Sequence, residues 1–163
     1  MKIINCNKNS NKDKIEKECG FVYFNDGVTI MRKLLSVCLY GKNKDCIGLA
    51  HNQIGGNKKV FVAKIDNKWS GFINAEIIET SNTYNTHTES CMSFPNKFNK
   101  VKRYDWVIIR HQIKSRTIPQ DDAFINEKFE GRNSQIIQHE IAHLEGKHIF
   151  SASAAVSGEI KNA

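Results

Sequence analysis

The stretch QHEIAHLEG at residues 138–146 constrains this chain more than any other. On a helix, His139 and His143 lie four residues apart on one face, where both imidazoles can bind the same metal ion. Glu140 lies beside them and can act as a general base. This is the arrangement of metal-dependent hydrolases. The alternative interpretation is an amphipathic surface helix that carries two solvated histidines.

The residues around this motif predict a helix with one buried face. Apolar side chains recur at helical spacing along it: Ile136, Ile137, Ile141 and Leu144. Asn133 or Ser134 is a suitable N-terminal cap, and Gly146 is a natural residue to end the helix. The motif therefore lies in a sequence context that favours a helix.

A hydrolytic metal needs a third protein ligand, because catalytic sites normally combine three protein ligands with one open position. Metzincin-type proteases take it six residues after the second histidine, but that residue is Ile149 here, and His148 is one position short. Gluzincin-type proteases use a downstream glutamate on a second helix, and the glutamates after the second histidine here are Glu145 and Glu159. A generic HExxH zinc endopeptidase remains an alternative, but it lacks a convincing downstream ligand. The sequence favours an upstream ligand, and a cysteine is the strongest soft candidate.

Length and composition restrict the class of protein. The 163 residues predict one domain over residues 1–163, large enough to bury about 70% of the unfolded surface. Five cysteines without a CxxC pair favour a reducing compartment. We find no signal-peptide pattern or membrane-length apolar run, which predicts a cytoplasmic protein without a membrane partner.

The formal net charge of +7 is spread among lysines and asparagines without a nucleic-acid-binding signature. We therefore expect no DNA partner and a mostly solvated basic surface. A weaker alternative is that this surface helps the protein to approach the ribosome.

The order of predicted elements is that of an α+β fold. Helical apolar spacing over residues 29–40 predicts a core helix near the N-terminus, in which Cys38 is a buried apolar residue. Strands are predicted at residues 59–65, 71–79, 104–113 and 124–129. Strands and helices do not alternate, so we expect antiparallel strands packed around the late metal-binding helix. Residues 5–19 are predicted to be irregular, and residues 151–163 form a short tail.

Two upstream stretches carry candidate functional groups. Cys91 lies in TESCMSFP, residues 88–95, where it can present a thiolate at a loop or strand end. Taken alone, an ordinary free thiol is the simpler interpretation. In CIGLAHNQ, residues 46–53, small residues permit close backbone approach, and the Gln53 amide can donate to an oxyanion.

The three stretches CIGLAHNQ, ESCMS and QHEIAH, in this order, resemble the peptide deformylases, whose motifs are GxGxAAxQ, EGCxS and QHExDH. The resemblance covers about residues 28–150. It implies a metallohydrolase that removes the formyl group from formyl-methionyl nascent peptides and releases formate. It also implies one divalent metal ion, Fe²⁺, with Zn²⁺, Ni²⁺ or Co²⁺ as alternatives in preparations. A non-catalytic peptide-binding module of the same fold is the remaining alternative.

The resemblance also assigns roles to individual residues. It implies that the metal ligands are Cys91, His139 and His143. Glu140 would be the acid and base, and Gln53 with the backbone N–H of Met92 would form the oxyanion hole. The bound peptide would lie against a further set of residues: Ile47, Gly48, Ser90 and Ile136.

Four positions depart from the family motifs: Cys46, His51, Ser90 and Ala142. None of them removes a ligand, the base or the glutamine, so we expect an effect on substrate preference rather than on activity. Cys46 and Ser90 could alter how the peptide strand docks. We expect His51 to be a packing or surface residue and not a fourth ligand.

Two further expectations follow from the resemblance. Glu89 matches a family carboxylate that pairs with a basic residue, and Arg103 stands where that partner is expected. After Gly146 only residues 147–163 remain, so we expect a compact, phage-type member without the usual C-terminal helix.

Overall fold

A computed structural model describes residues 2–7, 9–41, 45–114 and 122–151. These residues form two α-helices, α1 (Phe24–Tyr40) and α2 (Gly131–Leu144), and two short 3₁₀ segments, Asn9–Lys14 and His51–Ile54. Seven β-strands accompany them: β1 (Gly48–Ala50), β2 (Val60–Ile65), β3 (Lys68–Thr80), β4 (Tyr84–Cys91), β5 (Phe94–Tyr104), β6 (Trp106–Lys114) and β7 (Asp122–Glu130). Neither helix has the length and apolar character that crossing a membrane requires.

Five strands form one antiparallel sheet in the order β1-β2-β3-β6-β7. Side chains alternate between the two faces of a strand. On β2, Phe61 and Ala63 pack in the cluster that contains α2, whereas Val60 and Val62 pack in the cluster that contains α1. The two helices therefore cover opposite faces of the sheet. The predicted α+β architecture, with an N-terminal core helix and a late motif-bearing helix, is confirmed.

The remaining strands, β4 and β5, pair as a separate antiparallel ribbon. The sequence did not predict this ribbon, because its strands are polar and much of their surface is exposed. β5 also contains Pro95, which lacks the N–H that strand pairing uses. Cys91 is the last residue of β4, so the expected position at a strand end is confirmed.

The N-terminal segment, residues 5–19, for which the sequence predicted no regular structure, contributes residues to the core. Part of it is the 3₁₀ segment, and Cys6 and Ile15 are fully buried against the ribbon residues Phe94 and Val101. Isolated apolar residues among lysines give no periodic signal, and their burial depends on strands distant in sequence. Of the predicted tail, only Ser151 falls within the described residues.

Both helices begin earlier than predicted. α1 begins at Phe24, and the side chains of Phe24 and Val28 extend its packed face. α2 begins at Gly131 rather than at Asn133 or Ser134, because the Ser134 hydroxyl donates to the Tyr104 carbonyl at 3.1 Å instead of capping the helix. Gly146 follows the end of α2 at φ 72°, the left-handed conformation expected of a helix-ending glycine.

Candidate active site

Helix α2 and the end of strand β4 bring three metal-binding side chains together. The rings of His139 and His143, one helical turn apart, have centroids separated by 5.0 Å. The Sγ of Cys91 lies 3.2 Å from the Nε2 of His143. One ligand atom from each of these three residues lies within 4.8 Å of the other two. Among the described residues this is the one group of His, Cys, Asp and Glu that could hold a metal ion.

A buried ion pair orients the more exposed of the two histidines. The Nδ1 of His139 lies 2.9 Å from the Oε2 of Glu89, which leaves the His139 Nε2 available for a metal. Arg103 donates two hydrogen bonds to Glu89, at 2.9 and 2.8 Å, and Gln135 donates a third at 3.1 Å. The expected Glu89–Arg103 pair is therefore confirmed. Burial alone would raise the pKa of Glu89, but the bonds from Arg103 and His139 hold it well below its usual value.

The electrostatic environment of the three side chains suits a cation. Burial lowers the pKa of His143 well below its usual value, and neighbouring His139 adds to the shift, so His143 is a neutral imidazole with a lone pair to share. Burial raises the pKa of the Cys91 thiol to about 12. A cation between the three groups would favour the thiolate and balance its charge. The donor set therefore fits a divalent metal.

Glu140 lies beside the three side chains and is itself buried, with 3% exposure. Its Oε2 has no hydrogen-bond partner among the described residues, so this oxygen is free to accept a proton or a bond from a bound molecule. Burial raises the pKa of Glu140 well above its usual value, and the charges of Cys46 and Glu89 add to the rise. A carboxyl group in this environment takes up a proton more readily than a surface carboxyl does.

Gly48 makes room for the Glu140 carboxyl group. A Cβ added at Gly48 would lie 2.2 Å from the Oε1 of Glu140 and 2.7 Å from its Cδ. Strand β1 therefore approaches α2 so closely that any side chain at this position would displace the Glu140 carboxyl group.

Gln53 is held in place by both ends of its amide. Its Oε1 accepts from the backbone N–H of Ala50 at 2.8 Å. Its Nε2 lies 3.2 Å from the Oγ of Ser93 and 3.6 Å from the Sγ of Cys91. The amide donor is thus fixed beside Cys91, the candidate metal ligand at the end of β4. Met92, whose backbone N–H the sequence suggested as a second donor, directly follows Cys91 and lines the same cleft.

Four of the residues described above, Gln53, Cys91, His139 and Glu140, line a cleft of about 260 Å³. All four residues expected to contact a peptide line it: Ile47, Gly48, Ser90 and Ile136. The sequence reasoning missed four other lining residues: Asp45, Thr88, Arg132 and Gln135. Two of these had a detectable signal, because Arg132 and Gln135 lie seven and four residues before His139, on the same helical face.

The other departures from the motifs lie away from the metal-binding atoms. The Nδ1 of His51 accepts from the backbone N–H of Lys58 at 3.3 Å, and its ring packs against Gly56. His51 is therefore a packing residue, as expected. Ala142 is buried. Cys46 is also buried, and it contacts Cys38 on α1.

Comparison with protein families agrees with this geometry. The family model described as polypeptide deformylase matches residues 5–157. The chain belongs to this family. It is 34% identical over 102 residues to the peptide deformylase of Thermotoga neapolitana, a match that covers 63% of this chain and 58% of that relative's length. The chain thus spans less than two thirds of that relative.

Solved structures of family members share the fold. The peptide deformylase of Thermotoga maritima superposes with a TM-score of 0.77 at 23% identity, covering 96% of this chain and 97% of that chain. A probable peptide deformylase from Synechococcus phage S-SSM7 superposes with a TM-score of 0.76 at 24% identity, covering 91% of this chain and 97% of that chain. Phage proteins are thus among the structural relatives of this family member.

Proposed function

We propose that the protein hydrolyses the N-terminal formyl group of formyl-methionyl peptides and releases formate. The observation that carries this proposal is the group of Cys91, His139 and His143, whose ligand atoms lie within 4.8 Å of one another, with Cys91 and His139 lining the cleft. Glu140 and Gln53 line the same cleft. Membership of the polypeptide deformylase family supports the choice of substrate.

The proposed chemistry assigns one task to each group. Cys91, His139 and His143 would hold a divalent cation, which would act as a Lewis acid and lower the pKa of bound water. Glu140 removes a proton from the attacking water and returns it to the departing amine when the C–N bond breaks. The Gln53 amide donates to the formyl oxygen as it becomes negative.

The backbone N–H of Met92 is proposed as a second donor to this oxygen. Preorganised donors of this kind are typically worth about 3–4 kcal/mol in the transition state.

The peptide lies extended along β1 in this proposal. Ile47 and Gly48 run beside it, in the manner of a strand added to a sheet edge. Ile47 and Ile136 give the methionine side chain an apolar surface, while Ser90 lies where the peptide backbone passes. Since formylated N-termini belong to newly made chains, we place this activity in the cytoplasm. The net charge of +7 supports an approach to the ribosome by long-range attraction.

The direct test is formate release from formyl-Met-Ala-Ser. We expect Glu140→Ala to bind metal and remain folded but to lose nearly all turnover, because Glu140 moves protons without holding the metal. Glu145→Ala is the matched control, since Glu145 is an exposed residue at the end of the same helix. Wild-type turnover by Glu140→Ala would contradict the assignment. New cleavage inside an unformylated peptide would instead identify an endopeptidase.

We further propose Fe²⁺ as the native metal. A mixed thiolate and imidazole donor set accepts both Fe²⁺ and Zn²⁺, so metal supply and geometry decide which is loaded. We expect protein loaded with Fe²⁺ under argon to be most active and to lose activity in air, because iron and its coordinated sulfur are exposed to oxidation. Protein loaded with Ni²⁺ or Co²⁺ should survive aeration better. Equal and air-stable activity with Zn²⁺ and Fe²⁺ would show that the iron assignment is wrong.

A further inference from the structure

Two cysteines outside the candidate metal site face each other beside the cleft. The Sγ atoms of Cys38 and Cys46 are 3.1 Å apart, about 1 Å longer than a disulfide bond. Both side chains are buried, at 8% and 6% exposure. Cys46 stands where the family motif has a glycine, so the pair belongs to this chain's own version of the motif.

We infer that Cys38 and Cys46 form a reversible disulfide when the protein meets a peroxide. The bond would join the C-terminal part of α1 to the residue that precedes the cleft wall Ile47–Gly48.

The surroundings of the pair permit the small movement that the bond requires. Cys38 lies inside α1, but Cys46 lies outside the helices and strands, two residues before β1 begins. A shift of about 1 Å, the difference from the bonded distance, therefore falls on a residue without helix or ladder hydrogen bonds to break. The two neighbours of Cys46, Asp45 and Ile47, both line the cleft, so the cleft is the side from which a small peroxide would approach the sulfurs.

The two thiols also differ in reactivity. The hydrogen bond from Cys38 lowers the pKa of Cys46, whereas the same hydrogen bond and burial raise the pKa of Cys38. Cys46 is also the sulfur whose two chain neighbours line the cleft, and because the thiolate is the nucleophile, Cys46 reacts first and Cys38 resolves the product.

The oxidation balances with hydrogen peroxide as the oxidant. The Cys46 sulfur attacks one peroxide oxygen and the O–O bond breaks. Cys46 becomes a sulfenic acid, and the other oxygen leaves as water. The Cys38 sulfur then attacks the Cys46 sulfur, forms the S–S bond and releases the second water. The two sulfurs lose two electrons, the two peroxide oxygens gain them, and the thiol protons end in the waters. A dithiol reductant reverses the change by exchange.

Peptide mapping tests this inference without relying on enzymatic activity. Trypsin cleaves after lysine and arginine, so each of the five cysteines lies in a different tryptic peptide. Cys38 falls in residues 34–42 and Cys46 in residues 45–58. Reduced protein is treated with hydrogen peroxide, quenched in acid, alkylated under denaturing conditions and digested.

We expect peptides 34–42 and 45–58 to be recovered as one disulfide-linked species that dithiothreitol separates. The species should be absent from Cys38→Ser and Cys46→Ser. It should persist in Cys19→Ser, the matched control, because Cys19 is a buried cysteine in a different core cluster. Recovery of both peptides singly alkylated would overturn the inference. Accumulation of sulfinic or sulfonic acid on Cys46 would also overturn the inference. Because the peptide map is made on the wild-type protein, these two outcomes do not depend on whether the variants fold.

Discussion

At the scale of single residues, the candidate site depends on side chains with two polar atoms, one of which is already held by a hydrogen bond within the protein. The Nδ1 of His139 lies against Glu89 and leaves Nε2 available. The Oε1 of Gln53 accepts from Ala50 and fixes the direction of its Nε2. Each functional atom is therefore oriented before a ligand arrives, so little rearrangement is needed during the reaction.

Gln53→Leu tests this arrangement. We expect the rate of the chemical step to fall about 100-fold, because the substitution removes one donor to the developing oxyanion. Single-turnover formate release is the measurement. Gln53→Glu is the control for folding, since it keeps an oxygen that can accept from Ala50 but lacks the N–H donor, and it should lose rate as well. A change confined to substrate affinity would mean that Gln53 positions the peptide instead.

At the scale of elements, the site is the meeting point of β1, β4 and α2. Gly48 on β1 lies close to the Glu140 carboxyl group on α2, where an added Cβ would overlap the carboxylate at 2.2 Å. Because the strand lacks a side chain at this residue, the Glu140 carboxyl group can lie directly against its backbone.

Gly48→Ala tests this contact. The added methyl group must displace the Glu140 side chain, which is flexible, so we expect the fold to survive while turnover falls about 100-fold through misplacement of the base. Gly20→Ala is the matched control, since the nearest atom to its added Cβ is the Asn57 carbonyl oxygen at 3.9 Å. We would measure formate release and thermal unfolding for both variants. Full activity in Gly48→Ala would show that the position of Glu140 is not critical.

At the scale of the whole molecule, the ribbon β4–β5 and the five-stranded sheet form separate hydrogen-bonded sheets. The buried ion pair between Glu89 on β4 and Arg103 on β5, with side chains 4% and 2% exposed, joins the ribbon to α2 through His139 and Gln135. The same four side chains therefore support both the docking of the ribbon and the orientation of a candidate ligand.

Arg103→Met tests this link. Removing one partner leaves Glu89 buried without its counter-charge, so we expect the free energy of unfolding to fall by about 3–5 kcal/mol. Arg110→Met is the matched control, because its 3.9 Å contact with Glu76 is about half exposed and should be worth about 1 kcal/mol or less. Urea unfolding measures both. Equal losses in the two variants would mean that the buried pair has no special role.

The sequence by itself determined the parts of the protein that local pattern can encode. Helical spacing predicted α1 and α2, and strand-like runs predicted β2, β3, β6 and β7, since apolar periodicity reports directly on a buried face. The four-residue spacing of His139 and His143 predicted that they share one face of the helix, because residues i and i+4 lie one above the other. The resemblance of three short motifs singled out Cys91 and Gln53, residues that periodicity alone would have left as an ordinary thiol and an ordinary amide.

Only the tertiary structure decided the rest, because those features depend on contacts between residues distant in sequence. The ribbon β4–β5 is polar, so backbone pairing and not an apolar pattern defines it. Cys6 and Ile15 became core residues through packing against that ribbon. Gln135 joined the Glu89 network and Cys46 met Cys38 only when separate elements packed together. Such contacts leave no periodic trace in a single chain, since each involves one side chain from each element.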